Sequence, residues 1–325
     1  MRLGWLVRGD SVYKTRTTQY PENAFSGTVE ALFKSLGATE LVLINPTFKE
    51  EGYVTPDQNT IASMYDIKIK VTSDINDCDV LYFSSILAGV MDHHLASDVA
   101  KFSQTKQVIY YDADGELVRP SFPSPLRDHL LNGDAKLSNF IVPTVVMNTA
   151  YHYELAQIFG RVFYLPFCAP SKLEASYDIM MPKPKFMTYS RIWGQSKIHD
   201  FKEHSQAVFP EGRKKWYPPL KLMTDAISEY QYLLPSGYKM PDKLFLISTR
   251  IWEAGISGTS FIQYVETMDS IDRWIPDYPK ELVITPDTNV TNFLEVLKEE
   301  HIQIPHSVLN QFSSGQVIQT LKEFL

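Results

Sequence analysis

A chain of 325 residues is longer than one hydrophobic core usually fills, because single cores stop growing near about 250–300 residues, so two lobes are expected. Its formal net charge of -7 argues against a protein that coats nucleic acid non-specifically, since such binding depends on lysine and arginine side chains that neutralise phosphates. The start is only briefly apolar and no run of about 18 apolar residues occurs, so we expect a cytoplasmic protein that does not span a membrane.

The first half of the chain alternates short apolar runs with amphipathic stretches, which is typical of βαβ units that build a parallel sheet. Gly37 is predicted to cap the first helix. The pattern predicts one complete open sheet of Rossmann type, with strands over residues 3–7, 41–44, 80–83, 108–111, 140–146 and 162–167, and helices over residues 25–36, 95–102 and 151–158.

The second half predicts a smaller α/β unit after a proline-punctuated linker at residues 170–184. A closing helix over residues 306–325 is expected to pack back on the first lobe. The predicted lobes are therefore residues 1–170 with that helix, and residues 171–305. The elements predicted inside the second lobe are strands over residues 185–190, 261–265 and 282–284, and helices near residues 197–203, 220–228 and 244–254.

The sequence lacks the signature motifs of several common enzyme classes. The turn after the first strand has one glycine, Gly9, where a dinucleotide-binding fingerprint requires three. The motifs of phosphate-loop NTPases, α/β-hydrolases and zinc peptidases do not occur. The eight histidines show no ligand spacing, and the two cysteines, Cys78 and Cys168, stand far apart, so no disulfide or metal site is assigned to them.

Two acidic residues, Asp112 and Asp114, come directly after an apolar strand, and ligands of open α/β sheets bind at the carboxyl ends of strands. Three interpretations stay open for this pair. One residue could be a general base on an acceptor hydroxyl, the two could form a D-x-D metal site, or both could cap the following turn.

A second candidate is the segment Ser248-Thr249-Arg250-Ile251-Trp252-Glu253, predicted to lie on a helix. Arg250 and Glu253 are three residues apart and therefore neighbours on one helical face, where an internal ion pair is one explanation. The other is that Arg250 offers its fork of donors to a diphosphate while Glu253 accepts hydrogen bonds from ribose hydroxyls.

In these segments the chain resembles the T-even-type bacteriophage DNA glycosyltransferases, in particular the β-glucosyltransferases that act on 5-hydroxymethylcytosine. The family's R-V-W-E segment is similar to Arg250-Ile251-Trp252-Glu253, its serine-arginine loop to the segment 189–197, and its uracil-reading turn to Tyr217-Pro218-Pro219. Its aspartate after a strand that ends in tyrosines matches Asp114 better than Asp112. The chain departs from the family in charge, because members that act on duplex DNA are basic.

The resemblance implies an α/β fold of GT-B type, with two Rossmann-like lobes and a donor cleft between them, and Asp114 as the catalytic base. The residues that it implies for binding the UDP-sugar donor are Ser190, Arg191, Lys197, Tyr217, Pro218, Tyr238, Arg250, Glu253 and Glu22. Those expected at the acceptor DNA are Arg119, Arg127, Arg213 and Lys214.

The implied activity is inverting transfer of glucose or arabinose from a UDP-sugar to 5-hydroxymethylcytosine in phage DNA, by a monomer in the cytoplasm of the infected host. Magnesium or manganese could assist at the diphosphate, although no protein ligands for it are assigned. The alternatives are a UDP-sugar transferase with another hydroxyl acceptor and a non-catalytic α/β protein that binds a nucleotide.

Overall fold

The computed structural model describes residues 1–6, 24–44, 67–85, 91–112, 124–166, 168, 186–187, 207–208, 231–233, 251, 254–255, 258–265, 267–299 and 302–325. The chain divides into two compact units. The first comprises Met1–Leu165 and Val317–Leu325, and the second comprises Pro166–Gln316.

The first unit is built on a parallel sheet whose strands are β1 (Arg2–Leu6), β2 (Glu40–Ile44), β3 (Ile69–Thr72), β4 (Val80–Ser84), β5 (Gln107–Tyr111), β6 (Phe140–Thr144) and β7 (Val162–Tyr164). Their order across the sheet is β3-β2-β1-β4-β5-β6-β7. The chain therefore adds strands on one side of β1, returns, and continues on the other side. This reversal between β1 and β4 is the topological switch point of a doubly wound sheet.

At the ends of the helices of this unit, capping side chains or a glycine turn provide hydrogen-bond partners for backbone groups that have none within the helix. The helices are α1 (Ala24–Ser35), α2 (His93–Ser103), α3 (Pro125–Leu131) and α4 (Thr149–Phe159). Asp92 caps α2 by accepting a hydrogen bond from the Leu95 N–H at 2.8 Å. Gly37 ends α1 with a φ of +59°, and the Ala38 N–H donates to the Phe33 carbonyl at 3.0 Å. The predicted glycine cap is confirmed.

The core lies on both faces of this sheet. Strands β4, β5 and β6 are buried along almost their whole length, as expected for parallel strands that are covered on both sides. Tyr82, Phe83, Tyr110 and Tyr111 are fully buried, and the rings of Phe83 and Tyr110 lie 5.3 Å apart in a tilted arrangement. Aromatic pairs of this geometry add to the free energy gained by burial alone.

One glycine of β1 is required by a close approach. A Cβ atom added to Gly4 would lie 2.4 Å from the Cys78 Sγ atom and 2.9 Å from the Ile44 Cδ1 atom. Burial raises the pKa of the Cys78 thiol to about 12, so this sulfur acts as a small apolar group rather than a nucleophile. Both cysteines are buried, and neither forms a disulfide.

The second unit carries two smaller parallel sheets. One has the order β11-β10-β8-β9 and the other pairs β12 with β13, where the strands are β8 (Phe186–Met187), β9 (Ala207–Val208), β10 (Tyr232–Leu233), β11 (Ser260–Phe261), β12 (Gln263–Tyr264) and β13 (Val283–Ile284). The helices described here are α5 (Met268–Trp274), α6 (Val290–Glu299) and α7 (His306–Asn310). The buried Tyr278 hydroxyl donates to the Phe261 carbonyl, which anchors the turn after α5 to β11.

The last helix, α8 (Ser314–Phe324), reaches the first unit. Val317 and Leu321 are buried, and the ring of Phe324 stacks on the ring of Phe163 at 4.1 Å. The Ser35 hydroxyl lies 3.4 Å from the Ile318 carbonyl oxygen. The C-terminal residues from Val317 onward thus belong to the same compact unit as the large sheet.

Some predicted elements differ from the observed ones. The single helix predicted over residues 306–325 is two helices, α7 and α8, because the chain turns at Gln311–Ser313. The strand predicted over residues 261–265 is broken at Ile262 into β11 and β12. Strands β3, β9 and β10 and helices α3, α5 and α6 were not predicted. The predicted linker at residues 170–184 lies outside the described residues.

Candidate active site

Of the predicted site residues, the structure describes Arg127 alone. The predicted base Asp114, the predicted donor residues Ser190, Arg191, Lys197, Tyr217, Pro218, Tyr238, Arg250, Glu253 and Glu22, and the acceptor residues Arg119, Arg213 and Lys214 all lie outside the described residues. The structure does describe residues next to several of them in sequence: Asp112 at the end of β5, and Ile251 and Ala254 beside positions 250 and 253. The candidate site is described from these neighbouring residues.

The end of β5 is the better defined of these places. Asp112 continues the strand, since its N–H donates to the Pro143 carbonyl at 2.9 Å and its own carbonyl accepts from the Val145 N–H at 3.3 Å. Its side chain is fully buried. The carboxyl oxygen Oδ2 accepts hydrogen bonds from the Tyr151 hydroxyl at 2.6 Å and from the Thr144 hydroxyl at 3.0 Å.

These contacts show how the Asp112 carboxyl group is held in the fold. A carboxyl group with no exposed surface and two hydroxyl donors on one oxygen has exchanged its hydration for protein hydrogen bonds. It therefore ties the end of β5 to β6 and to α4. Among the described residues no group of three histidine, cysteine or acidic side chains that could hold a metal ion occurs.

The partners of Asp112 were not found from the sequence. Thr144 ends β6, and its hydroxyl also accepts from the Val146 N–H at 3.1 Å. Tyr151 lies in the first turn of α4, which is capped by the side chain of Asn148 at 2.9 Å from the Tyr151 N–H. The spacing of Thr144 and Tyr151 from Asp112 carries no sequence signal, because the contacts join residues 32 and 39 positions apart.

A histidine also supports the turn between β6 and α4. The Nε2 atom of His152 lies 2.7 Å from the Val146 carbonyl oxygen. Because a carbonyl only accepts, Nε2 carries the hydrogen and donates it. The turn that faces Asp112 is thus held at Val146 by the Thr144 hydroxyl and by the His152 ring.

The switch point of the sheet has its own polar residue. Strand β1 ends at Leu6 and β4 at Ser84, and Ser85, directly after β4, is fully buried.

Arg127 lies in the first turn of α3, where its N–H donates to the Ser124 hydroxyl at 3.4 Å, and its side chain is half-buried. The role of Arg127 at a DNA phosphate stays a prediction.

In the second unit the structure describes the segment that surrounds the predicted donor residues in sequence. Ile251, Ala254 and Gly255 are helical and buried. Gly258 has a φ of +69°, its N–H donates to the Gly255 carbonyl at 3.1 Å, and the Thr259 N–H donates to the Ala254 carbonyl at 2.9 Å. This pair of bonds is a Schellman motif, so the helical segment ends there and leads into β11.

Gly255 allows this segment to lie close to α7. A Cβ atom added to it would lie 2.3 Å from the Leu309 Cδ2 atom and 3.2 Å from the Leu309 Cγ atom. Leu309 is itself buried. The packing of α7 therefore fixes one side of the segment that contains positions 250 and 253.

Comparison with known proteins shows a likeness to a solved structure. No family model and no curated protein sequence matches the chain. A solved structure of Anabaena Alr3699/HepE in complex with UDP and glucose matches with a TM-score of 0.56 and 12% sequence identity, over 99% of this chain and 98% of that one. The two chains share a fold. The predicted α/β fold of GT-B type is thereby confirmed.

In the described part of the chain, no helix is both long enough and apolar enough to cross a membrane.

Proposed function

We propose that the protein is a UDP-sugar-dependent glycosyltransferase. The observation that carries this proposal is the likeness, over 99% of the chain, to a structure that contains UDP and glucose. The sequence resemblance to phage DNA glucosyltransferases points independently to the same donor class. Fold alone does not establish activity. The proposal therefore also depends on Asp114, which follows the end of β5, and on Arg250 and Glu253, which lie on either side of Ile251 in sequence.

The donor is proposed to bind at the helical segment of the second unit. Ile251, Ala254 and Gly255, the described residues of this segment, are buried and have the i, i+3, i+4 spacing of one helical face. Arg250 is proposed to supply the positive charge for the diphosphate, while Glu253 accepts from the ribose hydroxyls.

The other predicted donor residues complete this proposal. Ser190, Arg191 and Lys197 would contact the phosphates and Glu22 the sugar, as the resemblance implies. Tyr217 and Pro218 would contact the uracil. Tyr238 is a further donor-binding residue that the resemblance implies.

Asp114 is the proposed general base. Asp112 is occupied by the hydroxyls of Tyr151 and Thr144, which leaves the second carboxylate of the pair for chemistry. The acceptor hydroxyl oxygen attacks the anomeric carbon while its proton passes to Asp114. The bond from that carbon to the diphosphate oxygen breaks, UDP departs with the added negative charge, and Arg250 stabilises it. The configuration of the sugar is inverted.

The proposal also names the sugar that is transferred and the acceptor that receives it. Glucose or arabinose is transferred to 5-hydroxymethylcytosine in phage DNA, inside the infected cell. A target base within a duplex must be flipped out, at a cost of a few kcal/mol. Arg119, Arg127, Arg213 and Lys214 are proposed to contact the phosphates, which lets an acidic protein bind DNA locally.

A turnover assay tests the base. Asp114→Asn is expected to lower kcat for UDP release from UDP-glucose by at least about 100-fold with hydroxymethylcytosine-containing DNA as acceptor, because it removes proton transfer in the transition state. Its affinity for UDP should stay within about twofold. UDP-arabinose assayed in parallel identifies the sugar.

The matched control is Asp287→Asn, since Asp287 is an exposed aspartate in a turn of the second unit. This variant should turn over like the unmodified protein. Unchanged turnover of Asp114→Asn would remove Asp114 from the mechanism, and turnover that chelator abolishes together with UDP binding would favour a metal-dependent site.

A further inference from the structure

The buried carboxyl group of Asp112 joins three elements at the edge of the sheet where β5 ends. Its backbone belongs to the β5–β6 ladder, its Oδ2 atom accepts from Thr144 at the end of β6, and the same atom accepts from Tyr151 at the start of α4. The Tyr151 hydrogen bond, at 2.6 Å, is at the short end of the range for hydroxyl donors to carboxyl oxygens. Asp112 is therefore held from two directions.

Covalent geometry links this anchor to the proposed base. Two residues of chain span at most about 7 Å, so the backbone at position 114 must lie within that distance of Asp112. The Asp112 backbone is held by the β5–β6 ladder, and its carboxyl group is held by the two hydroxyls. An error of about 1 Å in the place of a reacting group can cost about 100-fold in rate.

We propose that Asp112 is a positioning residue for the transferase reaction, and that Tyr151 and Thr144 act through it. This inference rests on the proposed function, because it assumes that Asp114 is the base. Asp112 does not touch the substrate; it fixes the backbone from which the segment with Asp114 begins. Loss of either hydroxyl should therefore lower the rate of the chemical step and leave donor binding unchanged.

The neighbouring tyrosine provides a matched control. Tyr111 is also fully buried, and its hydroxyl donates to the Leu165 carbonyl at 2.9 Å. Tyr111→Phe removes one buried tyrosine hydrogen bond from the same strand end without touching the Asp112 carboxyl group. It should lower the thermal midpoint of unfolding, though less than Tyr151→Phe does, because a hydrogen bond to a carbonyl contributes less to stability than one to a carboxylate.

The experiment compares Tyr151→Phe, Thr144→Val, Thr144→Ser and Tyr111→Phe. We measure kcat and the donor KM for UDP release from UDP-glucose with hydroxymethylcytosine-containing DNA, and the thermal midpoint of each variant. Tyr151→Phe and Thr144→Val should lower kcat by about tenfold with a donor KM within about twofold of the unmodified protein. Thr144→Ser keeps the hydroxyl and should restore kcat, and Tyr111→Phe should keep kcat.

The inference is overturned if Tyr151→Phe and Thr144→Val are destabilised but retain kcat, or if Tyr111→Phe loses kcat to the same extent, since either result would mean a purely structural role. If Tyr151→Phe fails to fold, the Thr144→Val and Thr144→Ser pair makes the same comparison. An unmodified protein that binds no UDP-glucose would instead overturn the proposed function, which distinguishes the two failures.

Discussion

Asp79, at the start of β4, shows how one residue can carry a pH dependence. Its carboxylate accepts from the Arg2 N–H at 2.8 Å and from the Arg2 guanidinium at 3.2 Å. The backbone hydrogen bond, followed by the guanidinium, lowers the pKa of Asp79 below its ordinary value of 3.8. A lowered folded-state pKa means that the stabilisation is complete above 3.8 and is lost as the pH falls below it.

The expected result is that Asp79→Asn reduces the free energy of unfolding at neutral pH and flattens its decline below pH 3.8. Urea denaturation at a series of pH values measures this. Asp98→Asn, which changes another exposed aspartate of the same unit, controls for net charge. An equally steep decline in Asp79→Asn and in the unmodified protein would show that Asp79 contributes nothing to it.

The residue scale also shows what a sequence can reveal about a site. Asp112 and Asp114 were recognised because acidic residues follow an apolar strand. The pattern could not show that Asp112 is buried and hydrogen-bonded, since its contacts from Thr144 and Tyr151 depend on residues far away in sequence. Local pattern finds candidates, and long-range packing supplies their contacts.

At the scale of elements, the close approach of the Leu309 side chain makes Gly255 sensitive to substitution. Gly255→Ala should destabilise the second unit by about 1–3 kcal/mol, because the new methyl group would overlap buried Leu309. Gly315→Ala is the matched control, since nothing lies within 4 Å of a Cβ atom there. Thermal denaturation compares the two variants.

A double-mutant cycle makes this test specific. Leu309→Ala leaves space for the added methyl group, so the cost of Gly255→Ala should largely disappear in the Leu309→Ala background. Additive costs in the double variant would contradict the proposed overlap and point to a different origin of the destabilisation.

Elements of the first unit followed their sequence pattern more closely than those of the second. Strands β4 and β5 are continuous apolar runs, and α1 has a glycine cap with a positive φ. Strand β3 was missed because its four residues, Ile69–Thr72, are only half-buried and contain a lysine. Most strands of the second unit have two residues, too few for any periodicity to appear.

At the scale of the whole molecule, the chain end contributes to a unit that begins at residue 1. Removal of residues 317–325 exposes the apolar surface that Val317 and Leu321 cover, and each buried side chain of this kind contributes about 1.5–3 kcal/mol. A chain ending at residue 316 should therefore show a clearly lower midpoint of urea denaturation.

Hydrogen exchange at the backbone amides of the buried strands β1 and β4 reports on the first unit in that experiment. Phe324→Ala, which removes only the ring stacked on Phe163, should have a smaller effect. An unchanged midpoint in the truncated chain would mean that α8 adds nothing to the first unit.

A protein that uses a UDP-sugar donor should bind UDP, and calorimetric titration with UDP measures this binding. One UDP per chain should bind without added metal, and Arg250→Ala should weaken the binding at least about tenfold, because the diphosphate would lose its charged partner. Arg273→Ala, which alters an arginine stacked near Trp274 in α5, should bind UDP as the unmodified protein does. The absence of any UDP binding would contradict the proposed UDP-sugar donor.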